Sequence, residues 1–553
     1  MSKIKISALG GLAENGKNMF VVEVDDRIFI LDAGLKYPEV DLYGIDAIIP
    51  NIDYLIKNKD RIEGIFLSHG HEDHIGALPY LLQNIKTRVY GTNFTICLIE
   101  NLLVKNNMDV SKYKLFKIST NKVYTFGKVE VSFFFTTHSV PESAGIVIST
   151  NDGAIVFAPD FNFHTPANNS YHTDFDKITA LGSKNVLVAL TESIGISEAD
   201  RATNDVIFEH TINSVLISAK SRVFVGLYST DLSRIQKILD LSVKNNYKVV
   251  IMTNHNDRLI HTALKNHYLS ISDDYYIDYK NYKEEKCDKV VVIATGIKLQ
   301  PYKTLTKIAT HYNKTFTMNE DDQVIIVSDP IPGTDKGAMR ALDAICATNA
   351  KVTLVDNKKL RTSHATAEDL VMFYQMIKPK YIIPIVGEYR HISKHVHLLL
   401  AQGFADKQII CMENGEVAVF EDGIYTKKEH INTGSLLVDG SLMGSVNEEV
   451  VKERNQLADE GAVIIISNLD MLKRTYANQP VVYIKGMAIT GSLDEYRNNI
   501  IEMVKKHIDA AFRKPKFNLD NLTTIVETEV SRMTYRIYKR KPIVIPVFVK
   551  QTK

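Results

Sequence analysis

The stretch LSHGHEDHIGALPY, residues 67–80, decides how we interpret the chain, because it places three histidines and two acids within six positions. The apolar run GIFL, residues 64–67, leads into the cluster and predicts a buried strand. After the cluster, GALPYLLQNI at residues 76–85 predicts a helix. The polar cluster therefore lies on a loop between a strand and a helix.

The spacing within this loop is that of metal ligands. His69 and His71 are two residues apart, so both side chains can point to one side, and Asp73 and His74 follow at the start of the helix. Imidazole and carboxylate groups are the ligands of zinc and related divalent ions. The alternative, a solvated polar loop, does not account for five polar side chains beside an apolar strand. The stretch predicts one half of a two-metal site.

The other ligands must come from elsewhere in the chain. His138 ends the apolar stretch FFFTTHS, and Asp160 ends AIVFAPD. A lone histidine at a strand end is usually structural, but a metal cluster that needs partners favours His138 and Asp160 as ligands. A carboxylate shared by two metals holds them about 3.5–4 Å apart, and a water between them becomes a hydroxide nucleophile. Asp32, at the end of FILD, is expected to orient a ligand histidine.

Composition sets the class of protein. The chain has 553 residues, which favours two to four domains, and its 45% hydrophobic and 24% charged residues are typical of a soluble globular protein. Its formal net charge of +1 does not by itself indicate a nucleic-acid partner. No apolar run reaches the roughly 18 residues of a membrane span, and MSKIKISALGG lacks a secretory signal. The scattered cysteines favour a cytoplasmic protein with reduced thiols; they are Cys97, Cys287, Cys346 and Cys411.

The order of the predicted strands and helices divides the chain into domains. Short strands dominate residues 1–205, whereas strands and helices alternate through 206–344 and predict a parallel sheet. Strand, helix and strand follow in 345–430. A linker at 431–450 leads to a compact α+β domain at 451–553.

Four motifs together resemble the metallo-β-lactamase fold: LDAG, SHGHEDHIGALPYLL, TTHSVPESAGI and DFNF. The Rossmann-like insert, the histidine of RTSHAT and the stretch PIVGEYR resemble the β-CASP branch of that fold. Over almost the whole chain, the pattern is similar to the ribonuclease J family. The resemblance implies an α/β fold in which residues 1–205 and 345–430 form an αββα sandwich. A β-CASP domain is inserted at 206–344, and residues 451–553 form an oligomerisation domain.

The resemblance also implies a function. The family consists of zinc-dependent ribonucleases with 5′→3′ exonuclease and endonuclease activity in mRNA decay and rRNA maturation. It implies one to two zinc ions, RNA as substrate, and a homodimer or tetramer, or a hetero-oligomer with a second ribonuclease J. No membrane partner is implied.

Site residues follow from the same resemblance. The metal ligands would be His69, His71, Asp73, His74, His138 and Asp160, and catalytic roles would fall to His364 and Asp73. Phosphate and nucleotide contacts would come from Ser229, Arg234, Leu360, Arg361, Thr362, Ser363 and His364. Calcium would lie at Asp46 and Asp439, for which two turn-forming acids are the equally weighted alternative.

The chain departs from the family pattern at the site itself. Val386 stands where the family has a final histidine ligand, and His391 is the alternative ligand nearby. Ser233 replaces an expected phosphate-contacting histidine, Leu360 replaces another, and Pro159 removes a backbone donor beside Asp160. The first metal would keep His69, His71, His138 and Asp160, while the second would keep only Asp73, His74 and Asp160.

Three interpretations follow from these departures. The first is a ribonuclease J-like enzyme with reduced turnover. The second is a non-catalytic subunit that pairs with an active homologue. The third is a metallohydrolase of another substrate, such as a small ester or lactam, against which the insert and the tail argue.

Overall fold

The computed structural model describes residues 2–38, 42–163, 170–197, 205–252, 258–282, 289–331, 334–356, 363–440, 442–444 and 446–551. The chain forms two compact units. The first comprises Met1–Tyr37 with Ala47–Leu436, and the second comprises Pro38–Asp46 with Leu437–Lys553. No described helix is both long and apolar enough to cross a membrane.

A sandwich of two sheets forms the larger part of the first unit. Strands are numbered along the chain. Side by side, the eight-stranded sheet contains β20 (Ile424–His430), β19 (Glu416–Glu421), β1 (Lys3–Gly10), β2 (Met19–Val24), β3 (Arg27–Leu31), β5 (Ile62–Phe66), β6 (Arg88–Gly91) and β7 (Lys114–Lys117). The six-stranded sheet contains β18 (Tyr381–Ile385), β12 (Val186–Glu192), β11 (Gly153–Ala158), β10 (Ala144–Thr150), β9 (Val129–Phe135) and β8 (Tyr124–Phe126). A further short strand is β4 (Ala47–Pro50).

The alternation of apolar side chains explains the layers. Successive residues of a strand point to opposite faces, so Phe133 packs between the two sheets while Phe134 packs on the outer face. Rings from the two sheets meet in the middle, as with Phe20 and Phe157, whose centroids are 5.4 Å apart. The expected αββα arrangement is confirmed by the outer helices, which are α1 (Asp53–Lys57), α2 (Glu72–Ile75), α3 (Leu78–Asn84), α4 (Asn93–Lys105), α5 (Phe175–Leu181), α11 (Ala367–Ile377) and α12 (Tyr389–Ala401).

The inserted domain of the first unit is a five-stranded parallel sheet with helices. Side by side, its strands are β14 (Lys248–Met252), β15 (Val290–Gly296), β13 (Val223–Tyr228), β16 (Gln323–Ile326) and β17 (Lys351–Leu354). Its helices are α6 (Asp205–Ser218), α7 (Leu232–Lys244), α8 (Arg258–Lys265), α9 (Gln300–Ala309) and α10 (Asp335–Cys346). Because β17 ends at Leu354, the sheet extends ten residues beyond the boundary at residue 344 that the sequence suggested.

The second unit is the α+β tail. Its strands are β21 (Ser435–Asp439, the last three residues), β22 (Leu442–Met443), β23 (Ala462–Asp470), β24 (Thr475–Tyr476), β25 (Val481–Lys485) and β26 (Ile543–Gln551). Its helices are α13 (Glu448–Glu460), α14 (Leu493–Arg513) and α15 (Leu519–Tyr538). Strand β26 runs parallel to β23, and the buried face of this sheet packs on α14 and α15. The short segment Pro38–Asp46 belongs to this unit, which the sequence did not suggest.

Candidate metal centre

Strand topology brings the polar residues of distant segments to one edge of the sandwich. In the six-stranded sheet, β11, β12 and β18 are parallel, and β9 has the same direction because it is antiparallel to β10, which is antiparallel to β11. The carboxyl ends of these four strands lead to His138, Asp160, Glu192 and Val386. In the other sheet, parallel β3 and β5 lead to Asp32 and to the histidine loop. Ligand sites form outside the carboxyl ends of such strands.

Four of the predicted ligands meet in one cluster: His69, His71, His138 and Asp160. His71 Nδ1 lies 3.1 Å from His69 Nε2 and 3.2 Å from His138 Nε2. Asp160 Oδ2 lies 3.3 Å from His69 Nε2 and 3.9 Å from His138 Nε2. Donors bonded to one zinc ion at about 2.0–2.2 Å stand about 3.3 Å apart, so these residues fit zinc.

Hydrogen bonds on the far side of each ring fix the tautomer that a metal needs. His138 Nδ1 donates to the carbonyl of Ser363 at 2.8 Å, and His71 Nε2 donates to the carbonyl of Thr230 at 3.2 Å. His69 Nδ1 lies 3.0 Å from Ser68 Oγ, which itself donates to Asp32. Each ring therefore turns a lone pair toward the cluster. Burial lowers the pKa of His138 to about 3, so its imidazole is neutral and able to ligate.

At the second predicted metal position, His74 lies beside both Asp73 and Asp160, although among the described residues these three side chains are not close enough to one another to count as a metal-binding group. His74 Nε2 lies 3.0 Å from Asp160 Oδ2 and 3.5 Å from Asp73 Oδ2. Its other nitrogen, Nδ1, donates to Asp32 Oδ2 at 2.7 Å. Asp32 is buried and receives two further hydrogen bonds from Ser68, so its carboxylate fixes the orientation of the His74 ring.

Val386 lies directly after β18 and is buried among apolar side chains of the sandwich core. Its φ angle is 49°, in the left-handed region that a β-branched residue rarely adopts. The alternative ligand His391 has a different role, because its Nδ1 accepts a hydrogen bond from the backbone N–H of Glu388 at 3.2 Å and caps α12. Among the described residues, two groups of side chains are arranged so that they could bind a metal ion, and His391 belongs to neither group.

A second cluster joins Asp160 to Glu192 and His364. His364 Nδ1 lies 2.7 Å from Glu192 Oε2 and 3.4 Å from Asp160 Oδ1. Burial raises the pKa of Glu192 to about 7, although the positive charge of His364 opposes the shift. For His364, burial lowers the pKa, but the Glu192 carboxylate and Asp160 outweigh it and raise the pKa well above its ordinary value. The partly exposed His364 therefore holds a proton beside the metal cluster.

Sequence reasoning missed Glu192. The apolar run NVLVAL, residues 185–190, stops two residues before the acid. The available signal was the position itself, because Glu192 ends a buried strand on the same edge as Asp160. Its side chain is buried, and its Oε1 accepts hydrogen bonds from the backbone N–H groups of Phe161 at 2.6 Å and Ala365 at 3.0 Å.

The predicted substrate contacts are only partly accessible. Ser229 is fully buried, and its hydroxyl has no hydrogen-bond partner among the described residues. Arg234 pairs with Asp231, with Nε 3.3 Å from Oδ2, and is largely buried. Ser363 contributes its carbonyl to His138, as above. Leu360, Arg361 and Thr362 lie outside the described residues.

Both residues expected to bind calcium have partners within the protein. Asp46 Oδ2 accepts a hydrogen bond from the backbone N–H of Gly440 at 2.8 Å. Asp439 forms an ion pair with Arg454, whose nitrogen lies 2.6 Å from Oδ2. The same guanidinium donates to the carbonyl of Gly44 at 3.3 Å. The positive charge at this place is that of Arg454.

Fold and site together define a hydrolase scaffold of the metallo-β-lactamase type. Four family models match: a beta-lactamase superfamily domain at residues 38–180, a ribonuclease J beta-CASP domain at 220–345, a Zn-dependent metallo-hydrolase RNA specificity domain at 360–410, and a ribonuclease J C-terminal domain at 449–551. The matches fall in the sandwich, in the insert and in the tail.

Similarity to curated proteins extends over the full length. The chain is 31% identical to ribonuclease J 2 of Staphylococcus aureus over 98% of both chains, and 32% identical to ribonuclease J 2 of Streptococcus pyogenes over 100% of both. The chain therefore belongs to the ribonuclease J family. A crystal structure of a protein of unknown function from Enterococcus faecalis shares the fold, with a TM-score of 0.53 at 16% identity, covering 76% of this chain and 100% of that one.

Proposed function

We propose that the protein is a metal-dependent ribonuclease that hydrolyses RNA phosphodiesters at the carboxyl edge of its sandwich. The observation that carries the proposal is the buried cluster of His69, His71, His138 and Asp160, in which each histidine has its metal-binding nitrogen turned inward. The chemistry of three imidazoles and a carboxylate suits zinc. Membership of the ribonuclease J family supports RNA as the substrate.

Each residue of the site has a distinct role in the proposed reaction. A divalent ion, when bound, supplies an activated water and neutralises charge on the phosphate. His69, His71, His138 and Asp160 would hold the first ion, and Asp73 and His74 would share Asp160 with a second. His364 directs its Nδ1 at Glu192, and we assign to its Nε2 proton the contact with the scissile phosphate or the leaving oxygen. Glu192 positions that ring and maintains its charge.

Two hypotheses about the activity follow from Val386, which stands where the family pattern has a ligand histidine. In the first, both exonuclease and endonuclease activities in mRNA decay and rRNA maturation persist with reduced turnover. In the second, the protein is a non-catalytic subunit that pairs with an active ribonuclease J. The loss of one ligand at residue 386 supports both. The intact His364–Glu192 pair favours the first, because a purely structural subunit has no need of a charged histidine beside the metal cluster.

One experiment tests the proposal. The purified full-length chain is assayed for metal content and for hydrolysis of a 5′-monophosphorylated RNA, beside a His138→Ala variant. We expect at least one zinc ion per chain and slow RNA hydrolysis, both lost in the variant. Zinc binding without hydrolysis that exceeds the variant's would instead identify the non-catalytic subunit.

We infer that the tail assembles the protein into a homodimer or tetramer. On β23, β25 and β26, the side chains that point away from α14 and α15 form an exposed apolar face; its members include Ile466, Val481, Tyr483, Ile545, Val547 and Val549. Contiguous exposed apolar patches of this kind mark interaction sites. A hetero-oligomer with a second ribonuclease J is the alternative use of the same face.

We also place the protein in the cytoplasm. Cys97, Cys346 and Cys411 are free thiols, which suits a reducing compartment, whereas Cys287 lies outside the described residues.

A further inference from the structure

Asn18 is a buried residue at the second metal position that the ligand prediction did not include. It lies immediately before β2 and is fully buried. Its backbone N–H donates to the carbonyl of Asp73 at 3.0 Å, and its carbonyl accepts a hydrogen bond from Gly34 at 2.8 Å. These two bonds fix its main chain beside the histidine loop. The side chain can therefore move only by rotation of its own bonds.

The carboxamide of Asn18 lies among the donors of that position. Its Nδ2 is 3.0 Å from His74 Nε2 and 3.4 Å from Asp73 Oδ2. His74 Nε2 in turn is 3.0 Å from Asp160 Oδ2. These separations are close to the roughly 3.3 Å expected between donors that share one small divalent ion. Asn18 thus offers a fourth atom to a position for which the sequence left three ligands.

The Asn18 side chain also lies near residue 386, where the second metal position lacks the ligand of the family pattern. A Cβ atom built on Gly11 would approach Asn18 Oδ1 to 2.5 Å, so only glycine at residue 11 leaves room for this side chain. The carbonyl of the same Gly11 accepts the backbone N–H of Val386 at 3.1 Å. Asn18 is therefore next to the backbone that carries Val386.

The oxygen and the nitrogen of the Asn18 carboxamide differ in their hydrogen bonding. Oδ1 is buried without a hydrogen-bond partner among the described residues, which is unfavourable, while Nδ2 faces the carboxylate of Asp73. Oxygen and nitrogen of a carboxamide have the same shape, so a half turn about the terminal bond exchanges them. Next to Asp73, the oxygen would be repelled in the absence of a cation and attracted once a cation is present. The orientation of the amide is thus linked to the presence of an ion.

We propose that Asn18 supplies its carboxamide oxygen to a divalent cation held by Asp73, His74 and Asp160, in place of the ligand missing at residue 386. This inference rests on the proposed metal centre and specifies its second ion. Three oxygen donors with one imidazole favour a harder cation than the first position does. The second ion is therefore Mn²⁺ or Mg²⁺, while the first position, with three imidazoles, holds zinc.

The test measures ion binding rather than catalysis. Full-length protein loaded with one equivalent of zinc is titrated with Mn²⁺, and free Mn²⁺ is followed by electron paramagnetic resonance. Asn18→Leu keeps the size of the side chain without a donor, and we expect it to weaken Mn²⁺ binding by about 10–100-fold, with zinc retained. The matched control is Asn414→Leu. This change also removes a partly buried carboxamide, one that hydrogen-bonds to the backbone of Leu12 rather than to His74. We expect the control to bind Mn²⁺ as the natural protein does.

A second variant separates an oxygen ligand from an amide that acts as a hydrogen-bond donor. Asn18→Asp places a carboxylate oxygen at the position. If the oxygen faces the ion, Mn²⁺ binds more tightly than in the natural protein, and the Mn²⁺-induced rise in melting temperature increases. If the amide N–H is the active group, the new carboxylate repels Asp73 without compensation and Mn²⁺ binding weakens.

Either unchanged Mn²⁺ affinity in Asn18→Leu or weakened binding in Asn18→Asp overturns the inference, as does a natural protein that binds no second ion at millimolar Mn²⁺. RNA hydrolysis is measured separately on the same preparations. A protein that binds Mn²⁺ through Asn18 but cleaves no RNA contradicts the proposed function and leaves this inference intact.

Discussion

At the scale of single residues, Val386 holds a backbone conformation that suits another side chain. Its φ of 49° is unfavourable for a β-branched residue, whereas histidine tolerates this region better. We expect Val386→His to tighten the second metal position about tenfold, the lower end of the effect of a neighbouring donor on metal affinity. Nuclease activity should recover only in part, because misplacement of the substrate by about 1 Å can cost ~100-fold and the substrate pocket is unchanged.

Metal stoichiometry by elemental analysis and cleavage of a 5′-monophosphorylated RNA check this prediction. Val386→Ile, which keeps β-branching without a donor, is the control and should change neither. An unchanged stoichiometry in Val386→His would mean that residue 386 is not the place of the lost ligand. Full activity would mean that the departures at Ser233 and Leu360 are harmless.

The pair of Glu192 and His364 predicts a dependence on pH. His364 must hold a proton to donate it, and it does so below its pKa, which the Glu192 carboxylate raises. Glu192→Gln removes that charge, so the pKa of His364 falls and the decline of activity with rising pH begins at lower pH. We expect kcat near pH 8 to fall about 100-fold, the size of one general-acid contribution.

A pH profile of kcat, with an NMR titration of His364, measures this shift. Glu192→Asp retains the negative charge and should keep the falling limb closer to its natural pH. A profile that only scales down in Glu192→Gln, without a shift along the pH axis, would give Glu192 a purely structural role.

At the scale of elements, the histidine cluster could be predicted from sequence because its ligands are close together or end apolar strands. His138 and Asp160 each follow a clear apolar run, so the common edge of parallel strands brings them together. Glu192 and Asn18 could not be found in this way. Glu192 extends a strand that already looked complete, and Asn18 lies in a loop whose approach to His74 depends on tertiary contacts.

The same limit applies to the ends of domains. Strand β17 continues the parallel sheet beyond residue 344, since pairing with β16 rather than any local signal decides which sheet it joins. The segment Pro38–Asp46 clusters with the tail although some 400 residues of chain separate them, and no periodicity in the sequence reports such a contact.

We expect one helix end to control the position of His364, the proposed general acid. Helix α11 begins with a capping box in which Thr366 and Asp369 bond each other's backbone N–H groups, two residues after His364. Thr366→Ala should destabilise the first unit by about 1 kcal/mol and lower kcat, because the first turn of the helix then holds His364 less firmly.

Urea denaturation and RNA hydrolysis are measured on the same variant. Ser492→Ala is the control, since Ser492 caps α14 in the tail through the backbone N–H of Glu495. It should cost a similar amount of stability in the second unit without changing kcat. Equal effects of the two variants on kcat would show that general destabilisation, rather than the position of His364, lowers activity.

At the scale of the whole molecule, the exposed apolar face of the tail predicts assembly. Ile545 and Val547 are 43% and 40% exposed on β26, and Ile466 on the neighbouring strand adds to the same face. A carboxylate in the centre of a buried apolar interface is costly, so Val547→Asp combined with Ile545→Asp should convert the oligomer to monomers. The fold of the unit should survive, because its core lies on the opposite face of the sheet, against α14 and α15.

Leu472→Asp serves as control, since Leu472 is 77% exposed in the turn after β23 and away from the face. Light scattering coupled to size exclusion gives the mass of each variant. Monomers already in the natural protein would favour the alternative partner, a second ribonuclease J, whereas an oligomer that survives the double substitution would rule out this face as its contact.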